Sequence, residues 1–251
     1  MSTLKLSGKN AIVTGGSRGI GKGVVLTLAT NGADIAFNHY RDNDRAAATV
    51  KEVEALGRKA FCAECDVSSP AAVRDFYAKA VAALGQIDIL VNNAGHNITE
   101  AFEDISEESY DRMIDVHVKG TFFMTQSVYR DMKKRGAGRI INVTSQLAYK
   151  GAGTLTHYCA AKGANATFTR ALALECAGTG ILVNAVAPGV TNTDLLTPLA
   201  TALLDTLKQA IPLHRFADVD EITPAVLLLA SPEGSFFHGT CISPNGGEVM
   251  L

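Results

Sequence analysis

Seven short apolar runs recur along this 251-residue chain, at 10–14, 33–38, 59–66, 87–92, 139–144, 181–187 and 239–243, and a helix-length segment separates almost every pair. Runs that are apolar throughout, as at 87–92, suit strands covered on both faces. Parallel neighbours need a crossover of roughly helix size, and right-handed crossovers put those helices on both sides of the sheet. Helices are expected over 19–31, 44–56, 106–134, 157–178 and 218–230, and another begins at Ser68-Ser69-Pro70, where proline suits a first turn. The segment 189–216 has weaker periodicity and is expected to form a flap with one or two short helices. No linker, repeat or low-complexity stretch divides the chain. One doubly wound α/β domain over 1–251 is therefore expected, with a mostly parallel sheet of about seven strands.

Apolar residues make up 47% of the chain, enough for a large core. The net charge of −2 gives no electrostatic case for nucleic acid or an anionic membrane as partner. No stretch reaches the roughly 18 apolar residues of a membrane span, and the opening residues lack a signal-peptide run. A cytoplasmic location is the expectation. Cys62 and Cys65 form a C-x-x-C pair, a spacing used in redox and metal sites. In a strand, positions three apart face opposite ways, and no second pair follows, so these cysteines are read as structural. The histidines show no metal-ligand spacing either, and no metal is expected.

Residues 14–21, Thr-Gly-Gly-Ser-Arg-Gly-Ile-Gly, lie where the first strand turns into the first helix. Gly15 permits the sharp exit, Gly19 lets the main chain approach a phosphate, and Gly21 allows close helix–strand contact. Free N–H groups at the helix N-terminus then receive the phosphate. The spacing G-x-x-x-G-x-G differs from the general G-x-G-x-x-G dinucleotide fingerprint.

Further along, Asp66-Val67 ends the third strand, Asn92-Asn93-Ala94-Gly95 ends the fourth, Ser145, Tyr158 and Lys162 follow an S-x12-Y-x-x-x-K spacing, and Pro188-Gly189 follows the sixth. In this order the motifs resemble the short-chain dehydrogenase/reductase family over nearly the whole chain, and most resemble its 3-oxoacyl-[acyl-carrier-protein] reductase group. The resemblance implies a Rossmann-type fold and an oxidoreductase that interconverts a carbonyl and a secondary alcohol by hydride transfer. It implies a cofactor site built from Gly15, Ser17, Arg18, Gly19, Ile20, Gly21, Asn38, His39, Tyr40, Arg41, Asp66, Val67, Asn93, Ala94, Gly95, Tyr158, Lys162, Pro188, Gly189, Val190, Thr191 and Thr193. It also implies a homo-oligomer, dimer or tetramer. Phe122, Phe123, Phe168 and the apolar end at 249–251 suit an interface and suit core packing equally.

The chemistry follows from the residues themselves. Tyr158 and Lys162 are spaced i,i+4 and share a helix face. A phenol of pKa about 10 is a poor base at neutral pH. A nearby ammonium and an oxidised nicotinamide favour the phenolate and are expected to lower that value. Tyr158 then gives a proton to a carbonyl oxygen or takes one from an alcohol, while Ser145 hydrogen-bonds the same oxygen. The family commonly has asparagine where this chain has His117, and that asparagine helps hold a water through which protons reach the lysine. His117 is either a proton-delivery group titrating near about pH 6.5 or a packed residue with the relay rerouted.

His96, Gln146, Tyr149, Leu195 and Leu196 are the candidate substrate contacts, with Leu199, Leu203 and Leu204 adding to an apolar flap. No acid occurs at 37–41, and Arg18 and Arg41 flank the ribose position. This favours NADP(H), with NAD(H) as the alternative cofactor. Arg130, Lys133, Lys134 and Arg135 offer a basic patch for an acyl carrier protein, although a basic helix end also simply complements its dipole. Two other readings remain: an NAD(H)-dependent secondary alcohol, sugar or steroid dehydrogenase, and a non-enzymatic NADP(H)-sensing regulator. The regulator is disfavoured by the intact Tyr158 and Lys162.

Overall fold

A computed structural model describes residues 4–196 and 200–250. Leu199 and Leu251 lie outside the described residues. The strands are β1 (Asn10–Val13), β2 (Asp34–His39), β3 (Ala60–Glu64), β4 (Ile89–Asn92), β5 (Gly138–Val143), β6 (Ile181–Val186) and β7 (Cys241–Ile242). They form one sheet in the order β3-β2-β1-β4-β5-β6-β7. Every pairing is parallel, so the sheet is more uniform than expected. The architecture is Rossmann-type.

Strand side chains alternate between two apolar layers. Val13, Phe37, Val91 and Ile141 pack with Val24, Val25 and Leu28 of α1 (Gly19–Thr30) and Ile222, Val226 and Leu229 of α9 (Val219–Ala230). Ile12, Ala36, Leu90 and Ile140 face the other way, toward Val73 and Phe76 of α3 (Pro70–Leu84), Val128 and Met132 of α5 (Gly120–Arg135) and Leu172 of α7 (Thr156–Glu175). This is the reason the strand runs are apolar at successive positions. Cys62 packs against the first layer and Cys65 against the second, and burial pushes both thiols up to about 12. Such thiols are poor nucleophiles and poor metal ligands. Among the described residues no group of three or more His, Cys, Asp or Glu is placed to hold a metal, and no helix is long and apolar enough to cross a membrane.

Local chemistry sets the helix ends. The Ser69 hydroxyl accepts from the Ala72 N–H at the start of α3, with Pro70 in the first turn. At α9, Asp218 and Glu221 form a reciprocal capping box. The helix expected over 106–134 departs from a continuous α-helix. It is α4 (Glu107–Ile114), a π-helical turn (Asp115–Lys119) and then α5. Such a turn holds one extra residue, and here it directs the side chains of Val116 and His117 inward. The segment after Pro188 carries a 3-10 turn (Asp194–Leu196) and α8 (Thr201–Ala210). Strand order reverses between β1 and β4, which opens a crevice at their C-terminal ends.

Candidate active site

The crevice wall after β1 is the glycine-rich turn. Gly15 and Gly19 sit at φ +68° and +54°, conformations that side-chain-bearing residues rarely adopt. A Cβ on Gly16 would lie 2.6 Å from Phe37, and one on Gly21 would strike the Gly15 carbonyl. Arg18 is the extended residue before α1 and makes no side-chain cap, and the first turn holds no acid. The leading N–H groups of α1, which include Ile20, are thus left for an anion. This cradle fits a cofactor pyrophosphate.

From the other side, the Thr14 hydroxyl accepts from the N–H groups of Asn93 and Ala94, each at 2.9 Å. The Asn93 amide donates to the carbonyls of Thr14 and Gly15. The two strand ends are stitched together across the crevice. Asn38 is buried beneath them, accepting from Gly15 N–H and donating to the Cys65 carbonyl, so it shapes the turn from inside the fold.

At the far end, Ser17 donates to Asp42 at 2.7 Å, and buried His39 accepts from the Asp42 N–H. Arg41, at φ +51°, lays its guanidinium over the Tyr40 ring at 5.0 Å, and Arg112 lies 5.4 Å from the same ring. Arg112 also pairs with Asp66 at 2.9 Å. Burial works to raise the Asp66 carboxyl, but hydrogen bonds from Ser68 and Arg112 outweigh it and hold it below the usual range. Val67 is buried against Gly120. A cavity of about 350 Å³ is lined by Ser17, Arg18, Gly19, Lys22, Arg45, Ala48 and Asp194. Lys22 and Arg45 were not among the sequence candidates. Lys22 lies one turn beyond Arg18, a spacing that could have revealed it. Arg45 reaches the cavity through an ion pair with Asp194, which the sequence does not disclose.

Ser145 follows β5, and its Oγ accepts from the Leu147 N–H at 3.1 Å. Ser145 also acts on Tyr158 of α7, lowering the phenol against the push of burial. Lys162, one turn on and buried, donates to the Val143 carbonyl at 2.9 Å and lies 5.7 Å from the Tyr158 ring centre. The three residues therefore converge. Their electrostatics differ from the expectation of a lowered phenol. In the protein alone, burial pushes Tyr158 up to about 12, with Ser145 opposing it, and burial draws Lys162 down to about 8. Desolvation penalises both charged forms here and outweighs the attraction between them.

His117 meets the Tyr158 ring edge-on, with centres 5.4 Å apart. Its Nε2 lies 3.2 Å from the His96 amide nitrogen and 2.8 Å from the His96 carbonyl, while its buried Nδ1 has no partner. The ring rests on Gly95, where a Cβ would collide with it. The Asn165 amide takes up the His117 carbonyl within the π-helical turn, at 2.9 Å. Burial first, then Lys162, push the imidazole well below its usual pKa. The extra titration expected near about pH 6.5 is thereby displaced to lower pH.

Gly189 approaches the C-terminal loop so closely that a Cβ would lie 2.7 Å from the Asn245 Cα. The Val190 carbonyl accepts from Ala217 N–H, Thr191 bridges to Ala217, and Thr193 lies over Gly19. Leu196 lines a cavity of about 500 Å³ with Leu204, Lys208 and Phe216, while Leu195 is exposed. The half-buried His96 has an enclosed Nε2 without a partner. The Tyr149 hydroxyl is buried toward Cys241 and Arg170, not gathered with Tyr158. Gln146 is buried, its backbone N–H donating to the Pro188 carbonyl and its amide to Glu248.

A family model described as short chain dehydrogenase matches residues 9–203. The chain is 36% identical over 242 residues to a 3-oxoacyl-[acyl-carrier-protein] reductase FabG of Staphylococcus epidermidis, covering 96% of this chain and 99% of that one. It is 38% identical to an acetoacetyl-CoA reductase of Shinella zoogloeoides, at 96% and 98% coverage. The structure of a Burkholderia cenocepacia short chain dehydrogenase in complex with NADP superposes with a TM-score of 0.91 at 34% identity, over 97% of this chain and 99% of that one. The chain belongs to the short-chain dehydrogenase/reductase family. It is an oxidoreductase of the CH–OH/C=O pair that uses a nicotinamide cofactor.

Proposed function

We propose that the protein is a carbonyl reductase that prefers NADPH and acts on 3-oxoacyl thioesters. The observation that carries this reading is the convergence of Ser145, Tyr158 and Lys162 beside a phosphate-binding turn. The bound nicotinamide supplies the hydride in reduction and accepts it in oxidation. Tyr158 delivers the proton to the substrate oxygen, and Ser145 holds that oxygen. Lys162 binds the nicotinamide ribose and hands protons to Tyr158. His117 takes the place of the usual asparagine in proton delivery, its unpartnered Nδ1 serving as the exchange point. Thr191 and Thr193, with the described parts of the flap at 189–196 and 200–216, close over the cofactor and exclude water.

Preference for the 2′-phosphate is supported by the basic rim of Arg18, Lys22 and Arg45 and by Arg41 after β2. Asp42 is the first acid after β2, and Ser17 engages its carboxylate; Asp194 lines the same cavity paired with Arg45, and Glu52 pairs with Lys22. The thioester assignment is supported by what the two named relatives reduce. An acyl carrier protein is proposed to dock near Arg130. Assembly into a dimer or tetramer is supported by Phe122, exposed and packed 5.4 Å from both Phe123 and Phe168. A cytoplasmic location is part of this proposal.

The test is kcat/KM for NADPH and NADH with an acetoacetyl thioester, in the parent and in Arg18→Ala and Arg41→Ala. The parent is expected to favour NADPH by tenfold or more, about 1.4 kcal/mol, and each variant to lose part of that preference. A parent that favours NADH refutes the cofactor assignment. Turnover of simple ketones without turnover of the thioester refutes the substrate class.

A further inference from the structure

Ser145 opens a tight segment that continues into α6 (Leu147–Lys150), a single helical turn. A helix this short has too few hydrogen bonds to hold itself in place. Both of its flanks are gripped by one side chain from the other end of the chain. Glu248 accepts from the Gln146 amide at 2.5 Å through one carboxylate oxygen and from the Lys150 ammonium through the other. The Glu248 side chain is only 5% exposed. A carboxylate that enclosed is costly unless it is paired and hydrogen-bonded, and both conditions are met here. The amide nitrogen of Gln146 is committed to the carboxylate even though its Oε1 is left buried without a partner.

The loop presenting Glu248 is itself fixed. Asn245 is buried; its amide donates to Ser243 Oγ and the Val249 carbonyl, and its oxygen accepts from Gly247 N–H. Gly246 and Gly247 take φ +68° and +89°, the left-handed turn that places residue 248 under α6. The same loop accepts from Gly189 N–H through Pro244 and from Leu213 N–H through Gly246.

We propose that Glu248 is a positioning residue for catalysis, holding Ser145 in register with Tyr158 by bracing Gln146 and Lys150. This rests on the reading of Ser145 and Tyr158 as the proton-transfer pair. The brace reaches Ser145 through α6, whose first residue, Leu147, donates its N–H to Ser145 Oγ at 3.1 Å, and Ser145 opposes the upward push of burial on the Tyr158 phenol. Lys162, His117 and Cys159 also lie around Tyr158, but none of them touches Glu248.

The test is the pH profile of kcat for alcohol oxidation, with KM for cofactor and the melting temperature, in the parent, Glu248→Leu and Glu248→Gln. Glu248→Leu removes both grips. It is expected to lower kcat about tenfold and to move the rising limb of the profile up by about half a pH unit or more, with cofactor KM unchanged. Glu248→Gln keeps an acceptor for the Gln146 amide and is expected to recover part of both effects. A purely structural role would lower the melting temperature without moving the limb. Parent-like kcat and pH profile in Glu248→Leu overturn the proposal; if that variant does not fold, a parent-like profile in Glu248→Gln does so. Tyr158→Phe run alongside separates the cases. If it is fully active, the proton-transfer reading itself fails; if it is inactive while the Glu248 variants match the parent, only the role of Glu248 fails.

Discussion

His117 shows how far a side chain's surroundings can move it from its solution chemistry. Burial and the neighbouring Lys162 disfavour the charged imidazole, so the folded-state value lies well below the ordinary one. The sign is that of a base made weaker: as pH falls past about 6.5, the ring stays neutral, and the proton delivery proposed for it is expected to continue. Carbonyl reduction is therefore expected to show no break from this residue near about pH 6.5, while a fall toward pH 8 belongs to Lys162, drawn down to about 8. His117→Asn, which restores the family's common residue, is expected to keep substantial activity, and His117→Leu to lose most of it. A leucine variant with parental kcat and pH profile would remove His117 from proton delivery. The presence of His117 was legible in the sequence as a departure from the family pattern. Its ionisation was not, because that depends on Lys162 and on an enclosing fold. Tyr158 is similar: its i,i+4 spacing from Lys162 is plain in the sequence, but the balance between desolvation and charge appears only once Lys162 is seen to be buried and Tyr158 half-buried beside it.

Among the elements, strands were the easiest to read, because burial on both faces leaves short runs of apolar residues bounded by turns. The π-helical turn at Asp115–Lys119 leaves no trace in composition, since one extra residue per turn changes no residue type. The four residues of α6 are too few to show a period, and β7 is only Cys241–Ile242. The buried asparagines were equally hidden. Asn92 donates to Thr125 and Asn142, and Asn142 donates to Thr169, which joins α5, β4, β5 and α7 through amides and hydroxyls. Thr169 in turn donates to the carbonyl of Asn165, whose amide holds His117. Buried networks of this kind are costly to break, since each orphaned group loses its partner without regaining water. Asn142→Ala is expected to destabilise the fold by about 2–3 kcal/mol and to lower Tm by roughly 5–10 °C. A change of only about 1 °C by calorimetry would show that the network rearranges freely.

At the scale of the molecule, the fold brings distant stretches of sequence to one crevice. The turn after β1 supplies the proposed phosphate cradle, the turn after β4 closes it, β5 and α7 bring Ser145, Tyr158 and Lys162 together, and the C-terminal loop holds Gln146 and Lys150 beside Ser145. The glycine-rich turn and the Ser-Tyr-Lys spacing could be read directly, because their chemistry is local. Arg45 and Glu248 could not be assigned roles, because each acts through a partner far away in sequence, whereas the spacing of Lys22 from Arg18 was there to be read. The proposed role of Tyr158 as proton donor in a nicotinamide-dependent carbonyl reduction is tested by oxidation of NADPH with an acetoacetyl thioester, followed by absorbance, in the parent and in Tyr158→Phe. The substitution removes one hydroxyl and leaves the ring in place, so folding and cofactor affinity are expected to persist while kcat falls by a factor of about 100 or more. A Tyr158→Phe enzyme with the parent's kcat would contradict the account.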